Sequence, residues 1–220
     1  MKDPMAFLLW VKGPAFDLAL AVFIIGILLR ILEILLPGRA PNYAEPRGGE
    51  WGPGFRTIVS RSMADSGTFQ RAAFNVIVGY IWHLGFLISL LLFVPHIAVF
   101  ASLSGMSWPG LPNPVIDGVT VITLGALLGM LVHRLRHPVM RFLSTFEDYL
   151  TWGVVFAVVF SGYLAYHRII NPYPLALGLH LLMVEVMLIL FPFTKLMHAI
   201  TFLFSRWYTG AIAGRKGVES

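Results

Sequence analysis

Long apolar stretches separated by short polar segments form the dominant pattern of this chain. A helix that crosses a membrane needs about 20 mostly apolar residues, because it rises about 1.5 Å per residue and the hydrocarbon layer is about 30 Å thick. Five stretches meet this requirement, at about 16–36, 73–101, 118–133, 149–167 and 175–202. The pattern predicts an all-α polytopic membrane protein, a five-helix transmembrane bundle that forms one membrane domain over 1–220.

Prolines predict where the apolar stretches end or bend. Pro95 lies within the second stretch, where we expect the helix to bend or end, and Pro192 predicts a kink in the fifth. The long polar segment at 37–72 is rich in Gly, Pro and Arg. It is predicted to be a cytoplasmic loop, either simply solvated or a docking surface for a partner.

The amino-acid composition indicates the class of protein and limits the side chains that could bind a metal. Hydrophobic residues make up 57% of the chain, charged residues 12%, and the mean hydropathy is +0.77, values that exclude an ordinary soluble fold. The chain has no Cys, which excludes a thiolate-bound iron–sulfur cluster, a covalently attached haem and a disulfide. Any metal must therefore be bound by His, Met or carboxylate groups, and any iron–sulfur relay must belong to another polypeptide.

The distribution of Lys and Arg predicts the orientation of the chain. Eleven lie on one side of the predicted spans and three on the other. The first group is Arg39, Arg47, Arg56, Arg61, Arg71, Arg134, Arg136, Arg141, Arg206, Arg215 and Lys216, and the second is Lys2, Lys12 and Arg168. This asymmetry predicts an outside N-terminus and a cytoplasmic C-terminus, as in a multi-pass protein of the prokaryotic cytoplasmic membrane. This bias of Lys and Arg toward one side of the membrane accounts for the net charge of +5. The positive charge is therefore no indication of nucleic-acid binding, and we expect no nucleic-acid partner.

Four of the seven histidines lie within the second and fifth predicted helices, where a polar side chain is costly and usually functional. These helices run in opposite directions, so His83 and His198 are both predicted near the cytoplasm, and His96 and His180 near the outside. Two facing histidines at each of two depths is the arrangement that two stacked haems b require. On the fifth helix the spacing of 18 residues puts both imidazoles on one face, about 27 Å apart.

The outer partner of His180 has two candidates. On an ideal helix His83 and His96 would point about 140° apart, and a bend at Pro95 could turn His96 inward. His167, at the outer end of the fourth helix, is the alternative.

The last predicted helix carries the most specific motif. Leu179-His180-Leu181 is followed by Leu190-Phe191-Pro192-Phe193-Thr194-Lys195-Leu196-Met197-His198, and His83-Leu84-Gly85 is a weaker match in the second helix. At these residues the chain resembles the cytochrome b (gamma) subunit of respiratory nitrate reductase. The wider family includes the membrane subunits of the Dsr and Hme/Tmc redox complexes and of heterodisulfide reductase.

The resemblance implies a membrane-anchoring diheme cytochrome b subunit of a respiratory oxidoreductase complex. Two haems b would be held by His83 with His198 and by His96 with His180. Electrons would pass between membrane menaquinone or ubiquinone and a cytoplasmic iron–sulfur subunit attached to a catalytic subunit. Lipid and quinone would be its other partners.

Glu185 is a carboxylate within the fifth helix, five residues after His180. It is either a proton acceptor or quinone hydrogen-bond partner, or a carboxyl group that only contacts a neighbouring helix. Two other functions stay open from the residues alone: a haem-free membrane anchor, and a small proton-coupled transporter subunit in which His and Glu185 form a proton path.

Overall fold

The computed structural model describes residues 3–38 and 43–218, and every regular element within them is a helix. Five helical stretches among them are long and apolar enough to cross a membrane: Pro4–Leu35, Ser66–Leu92, Asn113–Arg136, Phe146–Tyr166 and Tyr173–Phe193. The predicted all-helical class and the five spans are confirmed at this level of length and composition. Lys2 and Arg39, which contribute to the orientation prediction, lie outside the described residues.

The first span begins earlier than predicted, because Asp3 caps a helix that starts at Pro4. Its carboxylate accepts two backbone N–H groups of the first turn, at 2.9 and 3.1 Å. Helix α1 (Pro4–Trp10) passes through a π-helical turn (Val11–Ala15) into α2 (Phe16–Leu35). Pro14 lies in that turn, where it lacks an N–H and crowds the carbonyl four residues earlier, so the helix widens.

The second span ends before Pro95, so the stretch predicted as one helix is two. Helix α4 covers Ser66–Leu92 and α5 covers Val94–Ser104. Between them Phe93 adopts an extended conformation with φ −85° and ψ 123°. Pro95 then occupies the first turn of α5, a position that tolerates the missing N–H. His96 therefore lies at the start of a new helix. The angle between His83 and His96 expected for one ideal helix does not apply.

The fifth predicted helix is also interrupted. Helix α9 covers Tyr173–Leu190, two 3-10 turns follow at Phe191–Phe193 and Lys195–Met197, and α10 covers His198–Arg215. Thr194 separates the turns in an extended conformation, φ −126° and ψ 178°. The single helix predicted over 175–202 is thus divided, and His198 begins the second part.

Helix α2 holds the first of these 3-10 turns in place. The guanidinium Nε of Arg30 donates a hydrogen bond to the carbonyl oxygen of Pro192 at 3.0 Å. Gly26 lets the two segments approach closely, because a Cβ atom there would lie 2.5 Å from Cγ of Pro192. The interruption of the helix at Pro192 is therefore held in place by contacts with α2.

The third and fourth spans are longer than their predicted cores. Helix α6 covers Asn113–Arg136, a short α7 covers Pro138–Leu143, and α8 covers Phe146–Tyr166. Thr145 and Asp148 form a reciprocal capping box at the start of α8, which satisfies N–H groups that a helix end leaves open.

The segment predicted as a loop at 37–72 contains helix α3 (Trp51–Ser60) and the first turns of α4. Helix α3 packs against α10 at glycines that allow close approach. A Cβ atom at Gly210 would lie 2.3 Å from the Thr57 hydroxyl, and one at Gly214 would lie 2.5 Å from Cγ of Pro53. The two helices form a tight pair.

The chain groups into two compact units by its internal contacts, and the single membrane domain stays a prediction. The first contains the chain up to Leu20 together with Phe74–Ile189, and the second contains Ala21–Ala73 and the chain from Leu190 onward. In the first unit, the Trp152 indole donates to the carbonyl oxygen of Leu127 at 2.8 Å, which ties α8 to α6. The α3 and α10 pair belongs to the second.

Candidate functional site

His96 and His180 lie side by side in the first unit. Their ring centroids are 6.2 Å apart and their planes are inclined by only 25°. His96 comes from the first turn of α5 and His180 from the middle of α9, and both side chains are half-buried. The interruption at Phe93 contributes directly, because it frees the direction of α5 from that of α4.

Both imidazoles are held through Nδ1. In His96 this atom lies 2.8 Å from the carbonyl oxygen of Ser89, which can only accept a hydrogen bond, so the proton is on Nδ1. In His180 it lies 3.2 Å from the Ser161 hydroxyl. That hydroxyl also lies 3.1 Å from the Val158 carbonyl, and donation to this carbonyl leaves it as the acceptor for His180. In that tautomer each ring has Nε2 as the atom that carries the lone pair.

A glycine on α8 gives the His180 ring its space. A Cβ atom at Gly162 would lie 3.0 Å from Cε1 of His180 and 3.3 Å from its Nδ1. Ser161 and Gly162 together therefore form one wall of the site, one by hydrogen bonding and the other by the absence of a side chain.

His167 has a different environment. Its Nε2 lies 2.7 Å from Oδ1 of Asp117, at an exposed position where α8 ends. Its ring also contacts Tyr163, with centroids 4.3 Å apart. Of the two candidate partners for His180, the structure brings His96 into contact and places His167 against a carboxylate.

His83 and His198 are each exposed and each held through Nδ1 by a nearby backbone carbonyl. The distances are 2.7 Å to the oxygen of Gly79 and 2.5 Å to the oxygen of Lys195. His83 belongs to the first unit and His198 to the second, and their pairing stays a prediction.

Glu185 is buried on α9, with 3% of its surface exposed. Its Oε1 has no hydrogen-bond partner among the described residues. A buried polar atom without a partner is costly, so a position of this kind is usually retained for a reason other than stability.

An open apolar groove of about 340 Å³ lies between α8 and α9. Its lining includes Leu150, Gly153 and Ala157 from α8 and Met183 and Val186 from α9. The groove presents almost no polar surface.

Comparison with known proteins finds one relative of similar length. A protein of Nitratidesulfovibrio vulgaris (strain Hildenborough) is 27% identical over 206 residues, which cover 91% of each chain. Its description is only "Protein" and names no activity. No family model matches the chain, and no solved structure matches it.

Sequence reasoning missed the residues that support the imidazoles. The Ser161-Gly162 pair, inside an otherwise apolar helix, is the signal that could have pointed to a neighbouring polar group. The Ser89 contact had no such signal, because it uses a backbone carbonyl that every residue has. Among the described residues, no group of three or more His, Asp or Glu comes together as a metal cluster.

Proposed function

We propose that this chain is a membrane-embedded cytochrome b subunit of a quinone-linked oxidoreductase complex, in which His96 and His180 would hold one haem b. The observation that carries the proposal is the near-parallel pair of imidazoles with both Nδ1 atoms engaged. Metal-binding histidines usually donate their other ring nitrogen in this way, which fixes the ring and the tautomer.

The two imidazoles lie close enough for one group to contact both, with ring centroids 6.2 Å apart. His96 and His180 would therefore hold a haem b through their Nε2 atoms, which are not the ring nitrogens engaged by Ser89 and Ser161. When bound, a haem supplies one-electron transfer at a potential set by its ligands and surroundings.

We propose His83 and His198 as the ligands of a second haem b. The support is the resemblance of the helix motif and the carbonyl contact at each Nδ1. In this arrangement Lys195 and Gly79 orient the imidazoles through their backbone oxygens.

The proposed orientation places the N-terminus outside and the C-terminus in the prokaryotic cytoplasm, which is supported by the bias of Lys and Arg. An iron–sulfur subunit and a catalytic subunit would bind on the cytoplasmic side. Menaquinone or ubiquinone would exchange electrons from within the membrane. Glu185, buried five residues from His180, is proposed to accept a proton from quinol or to hydrogen-bond the quinone.

A haem assay and a reduced-minus-oxidised absorption spectrum on the purified protein test the proposal. We expect two haems b per chain. His96→Ala and His180→Ala should each lower the number to one, because each leaves one iron with a single ligand. His167→Ala is the matched control and should retain two, since that side chain contacts Asp117.

A colourless protein of native size would contradict the proposal and favour a haem-free membrane anchor. Loss of one haem in His167→Ala but not in His96→Ala would reverse the ligand assignment. Size-exclusion chromatography of each variant separates loss of haem from loss of the fold.

A further inference from the structure

Helix α3 exposes an apolar stripe. Trp51, Phe55 and Val59 follow one another at intervals of four residues, which places them on one face of the helix. Their exposed fractions are 69%, 59% and 73%. The rings of Trp51 and Phe55 are stacked, with centroids 6.2 Å apart, so the stripe is a continuous surface.

The opposite face of α3 is already occupied by α10. A Cβ atom at Gly54 would lie 2.6 Å from the indole nitrogen of Trp207, and Thr57 is buried against Gly210. The carboxylate of Glu50 pairs with Arg215 at 3.2 Å. Helix α10 therefore fixes which way α3 is turned. Trp51 touches α10 through the ring of Trp207, with centroids 5.3 Å apart, while most of the surface of Trp51, Phe55 and Val59 stays exposed.

Short connections join this pair along the chain to the first turns of α4, which end at a kink at Ala72, and to the end of the last span. Residues 61–65 form a compact turn between α3 and α4, with the N–H of Ser62 donating to the Val59 carbonyl at 3.0 Å. Asp65 caps α4 by accepting from the Thr68 hydroxyl and N–H, which hold the pKa of Asp65 below its usual range. Helix α10 starts shortly after the last span ends at Phe193.

The charge around the stripe is basic. Segments 43–73 and 198–218 contain seven Lys and Arg against three Asp and Glu. Arg56 is exposed on α3, and Arg61 is the residue directly after the end of this helix. On α10, Arg206 donates a hydrogen bond to the Ser62 hydroxyl at 2.8 Å. Apolar aromatic residues on one face with arginines beside them are the pattern of a helix that lies in a membrane interface.

We propose that α3 lies in the interfacial layer of an anionic membrane, with Trp51, Phe55 and Val59 in the acyl boundary and the neighbouring arginines at the lipid headgroups. The occupant of the stripe is lipid and not a soluble protein, because only a few residues of chain separate α3 from α4 and the charge matches anionic headgroups. This inference is independent of haem binding.

The absence of Cys allows a direct test in the full-length protein. Single spin labels are attached at Phe55→Cys and, as control, at Ser60→Cys, which is also exposed and lies about 140° around the helix. The protein is reconstituted in vesicles of phosphatidylcholine with phosphatidylglycerol. We expect the label at 55 to lie about 5–10 Å below the headgroups and to collide with oxygen more than with an aqueous nickel complex. The label at 60 should show the reverse.

Equal exposure of both labels to the nickel complex would overturn the proposal and favour a protein docking surface. The same pair of labels in pure phosphatidylcholine tests the charge argument: the label at 55 should be shallower there, and equal depth in both lipids would overturn the preference for anionic lipid. Circular dichroism and size-exclusion chromatography verify that each labelled chain is folded.

Discussion

The Ser161 hydroxyl lies 3.2 Å from Nδ1 of His180 and orients the ring as an acceptor when its own proton goes to the Val158 carbonyl. His96 is oriented instead by a backbone oxygen of Ser89. The two imidazoles thus depend on different kinds of partner, one that mutation can remove and one that it cannot.

This difference allows a test with two matched serine variants, one at each imidazole. Ser161→Ala removes the acceptor of His180, and we expect about a tenfold weaker retention of the outer haem, the lower end of the usual cost for such a partner. Ser89→Ala keeps the carbonyl and should retain haem as the parent does. The measurement is haem loss to an excess of a haem-scavenging protein, together with the midpoint potential. Equal loss from both variants would contradict the assigned role of Ser161.

At the scale of elements, prolines divide the chain and glycines join the pieces. Pro95 and Pro192 interrupt predicted single helices, and each interruption brings a histidine to the start of a new helix: His96 in α5 and His198 in α10. Gly210 then allows α10 to approach α3 so closely that the backbone oxygen of Pro53 would lie 2.4 Å from an added Cβ atom.

Gly210→Ala should therefore loosen the α3 and α10 pair. The backbone of Pro53 cannot move aside as a flexible side chain would, and overpacking of this kind costs about 1–3 kcal/mol. We expect amide hydrogen exchange in α3 to become about 5- to 160-fold faster, while the first unit is unaffected. Gly52→Ala is the control, because a Cβ atom there meets nothing within 4 Å. Unchanged exchange in Gly210→Ala would show that the contact does not hold α3.

At the scale of the whole molecule, five helices are long and apolar enough to span a membrane. Five crossings would put the two termini on opposite sides, and the bias of Lys and Arg predicts which side is which. Ser107, in the segment between α5 and α6, is predicted outside, and Ser60, at the end of α3, is predicted in the cytoplasm. Both side chains are exposed.

Single-cysteine labelling checks this orientation. A membrane-impermeant maleimide should modify Ser107→Cys in intact cells, and Ser60→Cys only after the membrane is opened, with the parent chain unlabelled throughout. The opposite pattern would reverse the orientation and would move the proposed iron–sulfur partner to the other side.

Sequence alone determined the helical class and the five spans, because each crossing must satisfy its own backbone hydrogen bonds within about 20 apolar residues, a requirement that is local in the chain. It also identified the histidines, since polar groups are conspicuous in apolar helices. Only the tertiary structure decided that His96 contacts His180 while His167 contacts Asp117. That choice depends on the direction the chain takes after Phe93 and on partners distant in sequence, such as Ser161, which no local pattern specifies.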